Sequence, residues 1–521
     1  VNIVKKSKLF MIISLSVLVI TIIVSGTYAL YKTQLSKNIG VNTTTHGLAY
    51  YINYVKGTDI TAATLNPSTS YEGGASSDIE FWKKDDSYDI YGKIELTVNT
   101  IGTNLSNSPA LKYAVVNNGN VLKEGSLKGT TSGSKVTILK NLYLEQTKQI
   151  YTVYVWLDNS EELGNISNES LSISVDCTAS LQKEPTAADT IISLYTSAAK
   201  VTATNNSITY NTAPSVSLMN DRLGGTTTDL DGGNIRYYGA NPNNYIYFNC
   251  SDYSNQTSST CETWRIIGVF DGKLKLIKSE SIGAYSWDNK DTSTGAENDT
   301  GKNDWTTARL MKLLNPSNYY TIDSNDNNLG QSLYYNSASG KCYSGQNNAT
   351  VDCDFTSTGI KNAETRNMIA ETTYNLGGWN SNSVYSNQIY EYERGTTVYT
   401  DRPTTWTGKI ALAYPSDYGY AADLNQCKDK TLYDYDNRTC TSNNWMKAII
   451  TNNGSNTGWL LTPRSGSSSN AWYVNSGGFV SRDSIAYVAY GAVPVLSLSS
   501  ELGIESGAGD GSSSKPYKLS A

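Results

Sequence analysis

Six of the seven cysteines fall into three sequence-local pairs, Cys250 with Cys261, Cys342 with Cys353 and Cys427 with Cys440. Each pair would close a short polar loop, such as Cys250-Ser-Asp-Tyr-Ser-Asn-Gln-Thr-Ser-Ser-Thr-Cys261. In the chain-entropy model a bridge across a loop of that size contributes roughly 3 kcal/mol. Zinc would instead need tight C-x-x-C or Cys/His clusters, which the sequence lacks. The spacing therefore predicts three disulfides and an oxidising compartment. Cys177 is the odd one. In Ile173-Ser-Val175-Asp-Cys177 it shares the apolar face of an alternating strand and reads as a buried, inert thiol.

Other catalytic chemistry finds few carriers. The sole histidine is His46, so no histidine base or metal site exists in the second half of the chain. A cysteine nucleophile without a histidine partner is a poor candidate when every neighbouring cysteine is bridged. Asp429 with Asp434, or Asp323 with Asp326, could pair as carboxylates, but acidic residues in such loops are first of all turn formers. Asp323-Ser-Asn-Asp-Asn-Asn328 lacks the glycine and closing glutamate of an EF-hand calcium loop. The expectation is a protein that is not an enzyme, with no catalytic residue, metal or cofactor.

Binding chemistry fits better. Between Trp472 and Tyr490, alternation turns Val474 and Val480 inward and Tyr473, Asn475, Phe479 and Ser481 outward. Arg482, Asp483, Ser484 and Tyr487 crowd the adjoining turn and strand. Rings beside Asn, Ser and Arg are the chemistry of adaptable recognition surfaces, although idle sheet edges share that composition. Tyr473, Asn475, Phe479, Arg482, Asp483 and Tyr487 are therefore the candidate ligand-binding residues, for a glycan or a host or neighbouring surface protein. Arg464 and Trp459 read as packing residues. A formal net charge of −6 gives no electrostatic reason to bind nucleic acid.

The elements that must position these residues divide the chain. At 521 residues it is too long for one core. Residues 31–181 read as an all-β sandwich, jelly-roll-like, with alternation in Lys93–Val98, Ile150–Leu157 and Leu171–Val175 and turns at Asn117-Asn-Gly-Asn120 and Thr131-Ser-Gly-Ser134. No segment there has a helical period. Residues 182–233 read as a linker with a short helix from Ala187 to Lys200, whose apolar contacts are Ile191, Ile192 and Tyr195. Residues 234–521 read as an α+β domain. There Trp264–Phe270 and Lys273–Lys278 form a hairpin across Asp271-Gly272, and Asp304 caps a helix reaching Leu314. Further helices are expected at Ala363–Thr373 and after Ser442, and a strand at Gly408–Ala413.

The N-terminus carries an address. Lys5, Lys6 and Lys8 precede an apolar run from Leu9 to Val24, followed by Ser25-Gly26-Thr27-Tyr28-Ala29. This is the pattern of a signal peptide cleaved after Ala29, or of a retained membrane anchor within residues 1–30. Together with the sandwich and the strand Tyr151–Asp158, this start resembles the TasA/camelysin class of exported proteins of Gram-positive bacteria. That resemblance implies matrix fibres or surface attachment, and the plainer reading, a stalk that holds the next domain off the surface, is weighed ahead of a fibre subunit. Ile235–Tyr245, Trp264–Gly268, Tyr414-Pro-Ser-Asp-Tyr-Gly-Tyr420, Trp459–Arg464, Ala471–Val480 and Tyr490–Leu496 resemble a C-type-lectin-like family. Its fold is shared by formylglycine-generating enzymes and receptor-binding tips. The relatives carry Arg where this chain has Val493, and Cys427 and Cys440 do not reproduce the oxidase's metal-binding cysteines. The two resemblances imply a secreted or tethered cell-surface protein presenting a lectin-like, adhesin-type head on a stalk, with a fibre subunit or an oxidase as the alternatives. Non-reducing peptide mapping should return the three local cysteine pairs, with Cys177 alkylated only after unfolding.

Overall fold

The computed structural model describes residues 33–35 and 51–520, except 62–64, 162, 167–168, 199–200, 205–206, 211–215, 224–231, 290–299, 323–328, 346–348, 428 and 453–454. The signal-like segment, His46, Asp323 and Asp326 lie outside the described residues. The chain divides into two compact units that meet at Glu184 and Pro185.

The first unit is built from two sheets. One runs, in spatial order, β1 (Thr33–Leu35), β11 (Leu171–Ser180), β6 (Tyr91–Ile101) and β9 (Lys135–Tyr143), with β3 (Ile60–Thr61) also on β11. The other runs β2 (Ile52–Val55), β5 (Ala75–Lys83), β10 (Ile150–Asp158), β7 (Leu111–Asn117) and β8 (Asn120–Ser126), with β4 (Pro67–Ser68) parallel to β10. The sequence alternation is realised directly. Ile94, Leu96 and Val98 of β6 share one core with Ile79, Phe81, Val153, Val155, Ile173 and Val175. A short helix, Thr103–Asn107, was not expected from the sequence; five residues are too few to carry a period. Cys177 is buried and unbridged, and burial, then the neighbouring Asp176 charge, pushes its thiol well above the ordinary value.

The second unit begins earlier than the sequence suggests. The stretch expected as a linker supplies the helix Ala187–Ser197, opened by a reciprocal cap between Thr186 and Asp189. Ala187, Ala188, Ile191 and Tyr195 form a stripe at helical spacing and sink into the core of this unit. The same stretch adds β12 (Val201–Thr204), β13 (Ser207–Tyr210) and β14 (Leu218–Asn220) to a nine-stranded sheet. That sheet continues through β15 (Ile235–Tyr237), β17 (Glu262–Phe270), β18 (Lys273–Lys278), β29 (Val495–Ser497) and β24 (Ile410–Ala411), with β16 (Tyr245–Phe248) on β17. Gly268 lies where β15 presses on β17; a Cβ there would sit 2.0 Å from the Ile235 carbonyl oxygen. The β17–β18 hairpin turns through Asp271 and Gly272 at φ of 49° and 70°, the double left-handed geometry that Asp-Gly favours.

A five-stranded sheet carries the closing part of the chain, in the order β19 (Ala284–Ser286), β28 (Ala489–Gly491), β25 (Gly458–Pro463), β26 (Asn470–Val474) and β27 (Val480–Ile485). β20 (Ser339–Tyr343) and β21 (Thr350–Asp354) form a further hairpin, and β22 (Thr372–Asn375) pairs with β23 (Thr405–Gly408) across an intervening helix, Ser386–Glu393. The chain is thus mostly β, with short helices confined almost wholly to the second unit. Two expected helices differ. The helix Arg309–Leu314 starts later than Asp304, because Asp288, not Asp304, accepts the Arg309 N–H. Asp304 instead closes the preceding turn through the Thr306 N–H at 3.0 Å. The helix Ala363–Met368 stops short of Thr373, where β22 pairs with β23. The three disulfides join Cys250–Cys261, Cys342–Cys353 and Cys427–Cys440, as the spacing predicts, and fit an oxidising, extracellular compartment. Among the described residues no helix is long and apolar enough to cross a membrane.

Four buried charges tie the second unit together. Arg236 on β15 donates to Asp221 at 2.5 Å and to Asp417 at 3.1 Å, and Lys275 on β18 reaches Asp417 at 2.5 Å. None of the four is more than 5% exposed. Burial pushes the Asp417 carboxyl up, but Lys275 and Arg236 outweigh it and hold the group below the usual carboxylate range. Removing one partner from such a set leaves an uncompensated buried charge. Asp417→Asn should therefore destabilise the second unit by about 3–5 kcal/mol in chemical denaturation. Asp352→Asn, which removes the exposed partner of Lys341, should cost under about 1 kcal/mol.

Candidate functional site

The predicted binding residues sit on the hairpin of β26 and β27. Its tip is a tight turn in which the Asn475 N–H donates to the Phe479 carbonyl and the Gly478 N–H to the Asn475 carbonyl. Gly478 adopts a φ of 104°, which a side chain would strain. The Asn475 side chain accepts from the Gly477 N–H at 2.6 Å, so it builds the turn from within. From below, the buried Tyr418 hydroxyl donates to the Gly478 carbonyl at 2.8 Å. The loop closed by Cys427–Cys440 leans on the same tip, and there the exposed Tyr433 ring meets Phe479 at 5.1 Å.

Charge lies along β27. Asp483 accepts from Arg464 at 2.6 Å and from its neighbour Arg482, while Asn382 contributes a longer bond at 3.4 Å. Arg464 also reaches Asn380 at 2.7 Å. Behind this group Trp379 stacks on Tyr392 at 3.7 Å, with the rings nearly parallel. Arg464 is therefore part of the polar rim, contrary to its reading as a packing residue, whereas Trp459 is fully buried.

The structure groups the six predicted residues unequally. Phe479, Arg482 and Asp483 share the rim with Arg464 and Tyr433. Tyr473 is only half outside; its ring lies against Tyr490 at 5.4 Å and against the core beneath. Ser481, expected outside, is buried, as is Ser484; register pairs Ser481 with Tyr473 and Ser484 with Ala471 within the sheet. Tyr487 stands past the far end of β27, and the six residues from Val480 to Ile485 alone span roughly 20 Å of extended chain. It does not belong to the tip. Asp429 and Asp434 are exposed, and Asp434 is engaged with Thr431 at 2.6 Å. Among the described residues no group of three His, Cys, Asp or Glu is placed to hold a metal.

A cleft that the sequence did not reveal lies at the N-terminal end of the helix Pro415–Tyr420, beside its cap Tyr414, with a volume of about 280 Å³. Lys273 and Lys275 of β18, Tyr374 of β22, Tyr390, Arg394 and Tyr414 line it. The one sequence signal was Lys273 and Lys275, two apart on a strand that otherwise holds Leu274, Leu276, Ile277 and Lys278, a spacing that places both on one face. Arg394 lies flat on the Tyr390 ring at 3.4 Å. Beside it Glu393 is buried and accepts from Ser416 through both oxygens, at 2.9 and 2.5 Å. A scan against protein-family models returned no match, and neither did a search of curated proteins.

Burial pushes Glu393 up to about 7 against the pull of Arg394, and burial likewise pushes Asp288 up to about 7. A carboxyl raised in this way binds its proton more tightly folded than unfolded, where it titrates near 4. Folding then takes up protons between roughly pH 4 and 7, and stability falls as pH rises through that window. The melting temperature of the second unit should rise on acidification from about pH 8 to about pH 5.5. In Glu393→Gln and Asp288→Asn, which imitate the protonated forms, that rise should shrink.

Proposed function

We propose that this chain is an exported bacterial cell-surface protein in which a β-sandwich stalk carries a C-type-lectin-like head, and that the head binds a glycan or a surface protein through the hairpin rim. The observation that carries the reading is the rim itself. Tyr433 and Phe479 offer rings on a backbone held by the Tyr418 bond and the Cys427–Cys440 bridge. Arg464, Arg482 and Asp483 set fixed charge beside them. Rings and polar groups already locked in place lose little freedom on binding. The three disulfides support the surface address, since cytoplasmic proteins seldom keep such bonds. The proposal assigns no catalysis.

The full chain, applied to a glycan array and to intact cells, should bind a restricted set of surfaces. Tyr433→Ala and Asp483→Ala should each weaken that binding about tenfold or more, with the melting temperature almost unchanged, because both side chains are about half exposed and surface ion pairs such as those of Asp483 add little stability. Normal binding by both variants would move the site elsewhere, and no binding to any surface would overturn the head.

A further inference from the structure

We propose that the cleft beside the helix Pro415–Tyr420 is a second binding site of the head, and that it takes the carboxylate of a uronate-type acidic sugar. This rests on reading the second unit as a binding head and adds the ligand class of a surface separate from the hairpin rim.

The charge of the cleft is the first argument. Lys273, Lys275 and Arg394 line it against a single acidic residue, Asp271 on the turn. Lys275 is already balanced by Asp417 beneath it. Arg394 is not balanced in the same way. Its Nη1 group donates to the Tyr390 carbonyl at 3.2 Å and to Glu393 at 3.3 Å. The Glu393 carboxylate is at the same time committed to Ser416. Among the described residues the Nε and Nη2 hydrogens of Arg394 have no acceptor, and the ring beneath keeps the guanidinium in one plane. A planar guanidinium with its Nε–Nη2 edge free matches a carboxylate in two-point fashion.

The second argument is an unpartnered donor. Thr372, on the edge of β22 in the cleft wall, has a buried hydroxyl with no hydrogen-bond partner. Leaving such a group unsatisfied is unfavourable, and a bound hydroxyl would relieve it. The third is shape. Phe270, Tyr374 and Tyr414 supply ring surface around the cations, and 280 Å³ lies at the small end of ligand pockets. That space suits one sugar ring whose C–H face lies on an aromatic wall and whose carboxylate meets Arg394. A bare inorganic anion would leave the aromatic wall uncovered.

The test is calorimetric titration of the full chain with sodium D-glucuronate, D-glucose and N-acetyl-Ala-Ala. Glucuronate should bind saturably, and at least about tenfold more tightly than glucose, since only it satisfies the guanidinium. Arg394→Gln and Thr372→Val should each weaken glucuronate about tenfold. Arg394 also touches Glu393, so its variant is judged beside a melting curve; Thr372→Val removes only an unpartnered hydroxyl and should melt like the parent. Equal binding of glucose and glucuronate, unchanged binding by Thr372→Val, or no saturable binding of glucuronate overturns the proposal. Tighter binding of the peptide carboxylate overturns the saccharide assignment. A chain that still binds array glycans through the rim but ignores glucuronate would retain the head and lose the cleft.

Discussion

Two acids and two bases buried side by side, Asp221, Arg236, Asp417 and Lys275, join four separate segments of the second unit. Desolvating each ion costs several kcal/mol, and the arrangement is held by a close counter-ion for every charge and by further hydrogen bonds to the two carboxylates. Asp221 also accepts from the Asn234 backbone and side chain at 2.8 and 2.9 Å, and Asp417 from the Tyr414 N–H at 3.0 Å. Phe270, Tyr420 and Tyr390 surround the Arg236 guanidinium, which excludes water and strengthens the pairing within. The set is therefore an all-or-none joint: complete, it orients the strands, and short of one member it strains them.

The helix Pro415–Tyr420, with its cap Tyr414, carries this constraint outward. Tyr414 lines the cleft, Ser416 holds Glu393, Asp417 closes the charge set and Tyr418 supports the hairpin tip. Its glycine is needed where the helix meets a neighbour; a Cβ on Gly419 would lie 2.3 Å from the Ser386 hydroxyl. One turn and a half of helix thus positions both candidate surfaces. A disturbance at Asp417 reaches the cleft and the tip together, whereas side chains on the rim can change without touching either support.

The aromatic usage follows the same division. Tyr418 and Tyr435 are fully buried, and their hydroxyls find partners that fix loops: Gly478 for the first, Ser386 and Gly419 for the second. Tyr433 lies two residues from Tyr435, yet it faces solvent. Neighbouring tyrosines in one disulfide-closed loop therefore serve opposite ends, one as a strut and one as a contact. Composition could show the abundance of tyrosine but not that assignment.

Features that depend on neighbours along the chain were legible in the residues. Period-two alternation in Lys93–Val98 and Ile150–Leu157 fixed which side chains enter the core of the first unit. Asp271-Gly272 specified its turn, and the three cysteine pairs closed across short loops. What depended on distant segments was not legible. The helix at Ala187 looked like a linker because the core it fills is formed by residues such as Trp264 and Leu502, far ahead in the chain. Ser481 is buried and Arg464 is on the rim because strand register and the Asn380–Asn382 loop decide their surroundings. Arg236 and Asp417 stand 181 residues apart, and no local pattern marks two such charges as partners. Sequence determined the strands, turns and bridges, whose causes are local; packing alone decided which charges meet, which rings face water and where a cleft opens, because those rest on contacts that exist only once the chain has folded.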